Sequence, residues 1–249
     1  MSNPTMPPFD QTQDNLNFEF VRKQFDQPPA WAQDKLLKWD TAYPREQEAF
    51  LSAHYWCESG SVNVHRVVGT DHWDYQGETW LGFLMSGKRM QRNLQALLDN
   101  PTYYLEPVLR QPSIYYNTVD GLNFYVGADG NHRTCLARFF LAEQEKTHLH
   151  NVTLNHYHIH TAFFQCYQRL KHIVQAMGLR VDLYPQIIQT GREDTAGWKM
   201  DQYQTHLVWK DLEDGSILKL NHADAEDKCL TLHLKMNTRS SRSSWAKMI

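Results

Sequence analysis

Three side chains able to do phosphate chemistry fall within five residues of one another: Asp129, His132 and Arg133, set around Gly130 and Asn131 and followed by Thr134. A carboxylate can hold a divalent cation or orient water, and an imidazole can move a proton. A guanidinium presents paired donors to phosphate oxygens. Together they suit binding, and in the stronger case cleavage, of a nucleotide or phosphodiester. The same residues also make an ordinary turn, because Asp-Gly-Asn favours turns and an Asp ahead of a helix is a common cap. Spacing alone leaves both readings open.

The elements that must position these groups are written in the stretch 123–140, NFYVGADGNHRTCLARFF. Residues 123–126 have strand character, Gly127 and Gly130 break it, and Leu136, Phe139 and Phe140 resume at helical spacing. The spacing predicts a helix beginning at 131–133, whose first amides have no intrahelical partner and lie at the positive end of the dipole. That end favours an anion. Asp120-Gly121 between residues 114–119 and 122–126 predicts a hairpin that delivers the strand. A second helix is expected over 89–100, opened by Ser86-Gly87-Lys88-Arg89. Cations at a helix start oppose the dipole, so a bound anion there would relieve the conflict; Lys88 and Arg89 are candidate phosphate contacts. Arg66, on the strand expected at 62–68, reads by itself as a solvent-facing arginine, because arginines are mostly exposed.

The run Asp129-Gly130-Asn131-His132-Arg133, with Ala137 beyond it, resembles the signature of the ParB/sulfiredoxin superfamily. That superfamily includes sulfiredoxins, ParB partition proteins, free-serine kinases, ParB-like nucleases and plasmid fertility-inhibition proteins. The resemblance extends over about 62–145: RMQRNLQALLDNP at 89–101 is similar to the helix before the signature, and Glu106-Pro107-Val108 with 114–117 to the proline-led strand. It implies phosphate or nucleotide binding at Gly130, Asn131, Thr134, Lys88, Arg89, Arg92 and Arg66. Asp129, His132 and Arg133 are the implied catalytic groups, with ATP or CTP as ligand and Mg2+ as companion ion. The sulfiredoxin nucleophile is missing, because Asn131 stands where that subfamily has cysteine. Cys135, a helical turn further on, reads as a small buried residue, so sulfinic-acid repair is not expected.

The chain has 249 residues and a formal net charge of -3, which disfavours broad nucleic-acid binding but permits a local basic groove. Its four cysteines have no paired spacing, pointing to neither a zinc ribbon nor a disulfide framework and to a cytoplasmic setting. No signal peptide or membrane-length apolar run is evident, so no membrane partner is expected.

The expected fold class is α+β, a ParB/sulfiredoxin-like mixed sheet with helices plus a smaller C-terminal α+β unit. The expected division is an irregular arm over 1–29 with a short helix near 18–23, a ParB/sulfiredoxin-like domain over 30–147, a C-terminal unit over 148–236 and a basic flexible tail over 237–249. Within it, helices are expected at 31–39 and 45–56 and a strand at 62–68. The aromatic stretch 69–87, with Trp73, Tyr75, Trp80 and Phe83, is longer than the sulfiredoxin pattern. Trp31, Trp39 and Trp56 read as packing groups. His148, His150, His156, His158 and His160 read as a strand's exposed face in preference to a zinc site, with a place lining the acidic turn, in contact with phosphate, as the third alternative. Residues 163–177 form an amphipathic helix closed by Gly178. Strands follow at 180–188, 207–211, 217–221 and 229–236, the last from alternating Leu230, Leu232 and Leu234.

Two functional classes fit. One is an enzyme hydrolysing phosphoesters, a DNase or ATPase of a mobile-element or plasmid setting, with a small-molecule kinase as its variant and Glu78 as that variant's candidate acid. The other is a nucleotide-gated module contacting DNA or a protein partner without turnover.

Overall fold

The computed structural model describes residues 14–245. The strands are β1 (Leu37–Lys38), β2 (Leu51–Asn63), β3 (Val67–Thr70), β4 (Tyr115–Thr118), β5 (Phe124–Val126), β6 (His148–Ile159), β7 (Val181–Asp194), β8 (Lys199–Asp211) and β9 (Ile217–Leu220). The α-helices are α1 (Glu19–Asp26), α2 (Trp39–Ala42), α3 (Trp80–Ser86), α4 (Met90–Asp99), α5 (Thr102–Leu105), α6 (Asn131–Glu143), α7 (Thr161–Met177) and α8 (His222–Trp245). The fold is α+β with a mixed sheet. The described residues form two compact units whose segments alternate along the chain: those up to 42, 56–156 and 196–198 make the first, and 43–55, 157–195 and those from 199 onward the second. The expected division ran the two consecutively. Among the described residues no helix is long and apolar enough to cross a membrane.

In the first unit β1, β3 and β5 run parallel, β4 is antiparallel to β5, and β6 is parallel to β4. The β4–β5 connection is the expected hairpin. Gly121 supplies φ +70°, and the Asp120 carboxylate accepts the N–H groups of Leu122 and Asn123, both at 2.8 Å. Helix α6 begins at Asn131, as the glycine punctuation predicts, and is buried on nearly every side, so it is the unit's central helix and not a surface one. Trp80, Phe83, Leu84 and Met90 share one core cluster with its Leu136 and Phe139. The Arg138 guanidinium lies between the rings of Trp31 and Trp80, 4.6 Å from each, and donates to the carbonyls of Val64 and Val67. Trp31 and Trp39 are thus packing groups, the latter 5.3 Å from the Tyr125 ring.

Several elements differ from expectation. From residue 14 onward the supposed arm is ordered: α1 buries Val21 and Gln24, and the Asn15 amide donates to the Met85 carbonyl; residues 1–13 lie outside the described ones. The helices expected at 31–39 and 45–56 are 3-10 turns at Ala30–Gln33 and Arg45–Phe50, followed by β1, the one-turn α2 and the long β2. The run His54-Tyr55-Trp56 has strand propensity, and tertiary pairing decided what a short apolar pattern left ambiguous. The strand expected at 62–68 is split by a 3-10 turn, Val64–Arg66, capped by Asn63 accepting the His65 N–H.

In the second unit β7, β8 and β9 form an antiparallel meander. Phe163, Cys166, Leu170 and Ile173 of α7 pack with Ala225, Cys229 and Leu232 of α8 over Leu207, Trp209 and Leu220. Gly178 ends α7 at φ +63° as predicted. The expected strand at 229–236 is instead part of α8, whose backbone continues through much of the supposed flexible tail to Trp245. Ala225, Cys229 and Leu232 are the buried helical stripe, while Leu230 and Leu234 are exposed, so the leucine alternation misled. The stronger signal lay upstream, where Asn221 and Asp224 cap the helix reciprocally at 3.0 and 3.1 Å.

Candidate functional site

The site is built at the end of β5 in the first unit. Gly130 has φ +113°, and a Cβ there would lie 2.4 Å from Ile114 Cγ2, so both backbone angle and space require glycine. The turn then hands the chain to α6. In front of it lies a cavity of about 450 Å3, lined by Asp129, Gly130, His132 and Arg133 on one side and by Arg89, Arg92, Asn93, Ala96 and Leu97 of the α4 region on the other. Asn100, Tyr103, Tyr104, Gln111 and Pro112 complete the wall. Three guanidiniums and one carboxylate among the lining residues make this a locally positive site in a chain of net negative charge.

The residues singled out from sequence have different fates. Arg89 and Arg92 are exposed at the start of α4 and reach the cavity. Arg133 lines it too, but its guanidinium also donates to Tyr103 Oη at 2.9 Å and to the carbonyls of Pro112 and Ser113 at 2.6 and 3.0 Å. It lies 3.3 Å from Asp129 Oδ1, whose side chain is about half exposed. Arg133 therefore braces the turn as well as charging it.

The Asn131 and Thr134 side chains are structural. Asn131 Oδ1 accepts from Thr70 Oγ1 at 2.6 Å, tying α6 to β3, and Thr134 Oγ1 is 2.8 Å from Tyr116 Oη. Lys88 is outside the lining and pairs with Asp74 at 3.2 Å. Arg66 is exposed on its 3-10 turn and Glu78 is exposed before α3, neither of them lining the cavity. Cys135 is fully buried, its thiol pushed up by burial and directed at the Trp80 carbonyl, as expected of an inert cysteine.

His132 departs most from the role its type suggested. Its Nε2 accepts the backbone N–H of Arg89 at 3.3 Å, and its ring lies 5.3 Å from Tyr75 and 5.0 Å from Phe83. Burial, with the nearby Arg89 charge, pushes its pKa down to about 4. At neutral pH the imidazole is uncharged with one lone pair committed, so it holds the Arg89 backbone against α6. The aromatic stretch 69–87 contributes by boxing this ring.

Sequence reasoning missed Asn93, Ala96 and Asn100, although they follow Arg89 and Arg92 along one face of α4 at helical spacing. It also missed Tyr103, Tyr104 and Gln111, which carry no comparable periodic signal. The expected histidine face of β6 has local partners: His150 Nδ1 is 2.8 Å from Ser61 Oγ, and His160 Nδ1 caps α7 by accepting the Phe163 N–H. Among the described residues no group of three His, Cys, Asp or Glu side chains is arranged to hold a metal ion.

No protein-family model matches the chain, and comparison with curated proteins and with solved structures gave no match.

Proposed function

We propose that this chain is a ParB/sulfiredoxin-like nucleotide-binding protein whose first unit holds the phosphates of ATP or CTP, or a DNA phosphate, between the starts of α4 and α6. The observation that carries the reading is the cavity itself. Arg89, Arg92 and Arg133 line one cavity with Asp129, Gly130 and His132 at the start of α6, where a Cβ on Gly130 would meet Ile114. Its size suits a single nucleotide better than a duplex.

Phosphoester hydrolysis, as in the nuclease branch of the superfamily, would use Asp129 to orient the attacking water while Arg89 and Arg92 neutralise charge on the phosphoryl oxygens. A lone carboxylate fits Mg2+ delivered with a nucleotide, since that ion is commonly held by one or two carboxylates plus substrate phosphates. Such an ion would supply charge neutralisation at the phosphates. His132 at pKa about 4 is not a neutral-pH acid in this reading; it positions Arg89. That same feature favours the second reading, a nucleotide-gated module contacting DNA or a protein partner in the cytoplasm without turnover.

The test compares wild type, Asp129→Asn and Arg89→Ala/Arg92→Ala with ATP, CTP and single- and double-stranded DNA, with and without Mg2+, following binding, phosphate release and strand cleavage. The double arginine variant is expected to weaken nucleotide binding about 10–100-fold, two charge-assisted contacts discounted for exposure. Asp129→Asn is expected to keep binding and lose release. Wild-type binding without release leaves the gated module; no binding of any ligand ends the reading.

A further inference from the structure

The second unit contains a pair of thiols that neither proposed activity uses. Cys166 on α7 is fully buried and Cys229 on α8 is 7% exposed, and their sulfurs are 3.8 Å apart, in van der Waals contact. Cys229 Sγ also donates to the Cys166 carbonyl at 3.7 Å. Two helix-borne sulfurs that already touch need rotation about their Cα–Cβ bonds and a small helix adjustment to reach bonding distance, about 2.05 Å. The other two cysteines, Cys57 and Cys135, belong to the first unit and do not compete within this one.

We infer that Cys166 and Cys229 form a reversible dithiol–disulfide site that covalently joins α7 to α8 when a small-molecule disulfide such as glutathione disulfide is present. The chemistry is two exchanges. The Cys229 thiolate, the one with residual exposure, attacks the small disulfide, forming a mixed disulfide and expelling one thiolate. The Cys166 thiolate then attacks the Cys229 sulfur, forming the internal disulfide and expelling the second. Two protein thiols and one small disulfide become one protein disulfide and two small thiols, with both protons passing to the released thiolates.

The surroundings set the rate. Burial, with Cys229 and Glu226 alongside, pushes the Cys166 thiol up to about 12, so little of it is thiolate at neutral pH. Arg169, 2.5 Å from Glu226 across the same two helices, offsets part of this negative surrounding. The exchange is therefore slow, and an excess of reduced thiol keeps the site open. Closure requires a sustained oxidising shift.

The experiment incubates the folded, full-length protein with excess glutathione disulfide, blocks remaining thiols under denaturing conditions, and maps cross-linked peptides by mass spectrometry. A peptide pair joining Cys166 to Cys229, restored to free thiols by dithiothreitol, is the expected result. Closing a loop spanned by 63 residues is expected to raise the Tm of the reactive unit by about 5–10 °C. In Cys166→Ala the reaction should stop at glutathione on Cys229. Recovery of both cysteines unlinked after exhaustive treatment, a link from either one to Cys57 or Cys135, or a fall in Tm on closure overturns the inference. The wild-type mapping decides even if a variant folds poorly.

Discussion

Replacing His132 with glutamine keeps a hydrogen-bond acceptor on the side chain facing the Arg89 amide but removes the titrating ring. In the wild type the native imidazole sits near pKa 4 against an ordinary 6.5, so between these values the unfolded chain binds the extra proton and the folded one does not. Stability then rises with pH through that window: the contribution is whole above about pH 6.5 and is lost as pH falls towards 4. Two and a half units correspond to about 3 kcal/mol over the full window, and about 2 kcal/mol is already lost at pH 5. Urea denaturation of wild type and His132→Gln at pH 7.5 and pH 5.0 measures this. The wild type should lose about 2 kcal/mol more than the variant between the two pH values, with unchanged m-values. His132→Ala, which leaves the Arg89 amide without its acceptor and opens the space between Tyr75 and Phe83, should be about 2–4 kcal/mol less stable than wild type at pH 7.5. A wild-type-minus-glutamine difference that does not change with pH, or a His132 resonance titrating near 6.5, would refute the assignment of this ring as a neutral brace.

Gly130→Ala should cost at least about 2 kcal/mol and abolish the proposed nucleotide binding in whatever fraction stays folded, because the new Cβ meets Ile114 at 2.4 Å on a backbone at φ +113°. Thermal denaturation and calorimetric titration check both parts; a variant as stable as wild type would mean that the turn is not held where the structure places it. Asn221→Ala removes one half of the reciprocal cap on α8 and should destabilise the second unit by about 1 kcal/mol, read from the denaturation midpoint, while the nucleotide binding proposed for the first unit stays unchanged.

What could be read along the chain was what is encoded within a few neighbouring residues. Asp120-Gly121 specified its hairpin because the turn needs a left-handed glycine and an acceptor for two amides, and both are local. Gly130 announced the α6 start, and the apolar period of 163–177 with Gly178 announced α7 and its end. The arginines at 89 and 92 could be placed at a helix start, and they do reach the cavity. Where the local signal was short or two-sided, tertiary packing decided: 51–56 paired as strand, and Leu230, Leu232 and Leu234 were wound into a helix that buries one of the three. Composition could propose His132 as an acid or base, because an imidazole titrates near neutrality in water. Only the tertiary structure decided otherwise, by spending its lone pair on an amide 43 residues away and surrounding the ring with Tyr75 and Phe83, where a second proton is costly to hold.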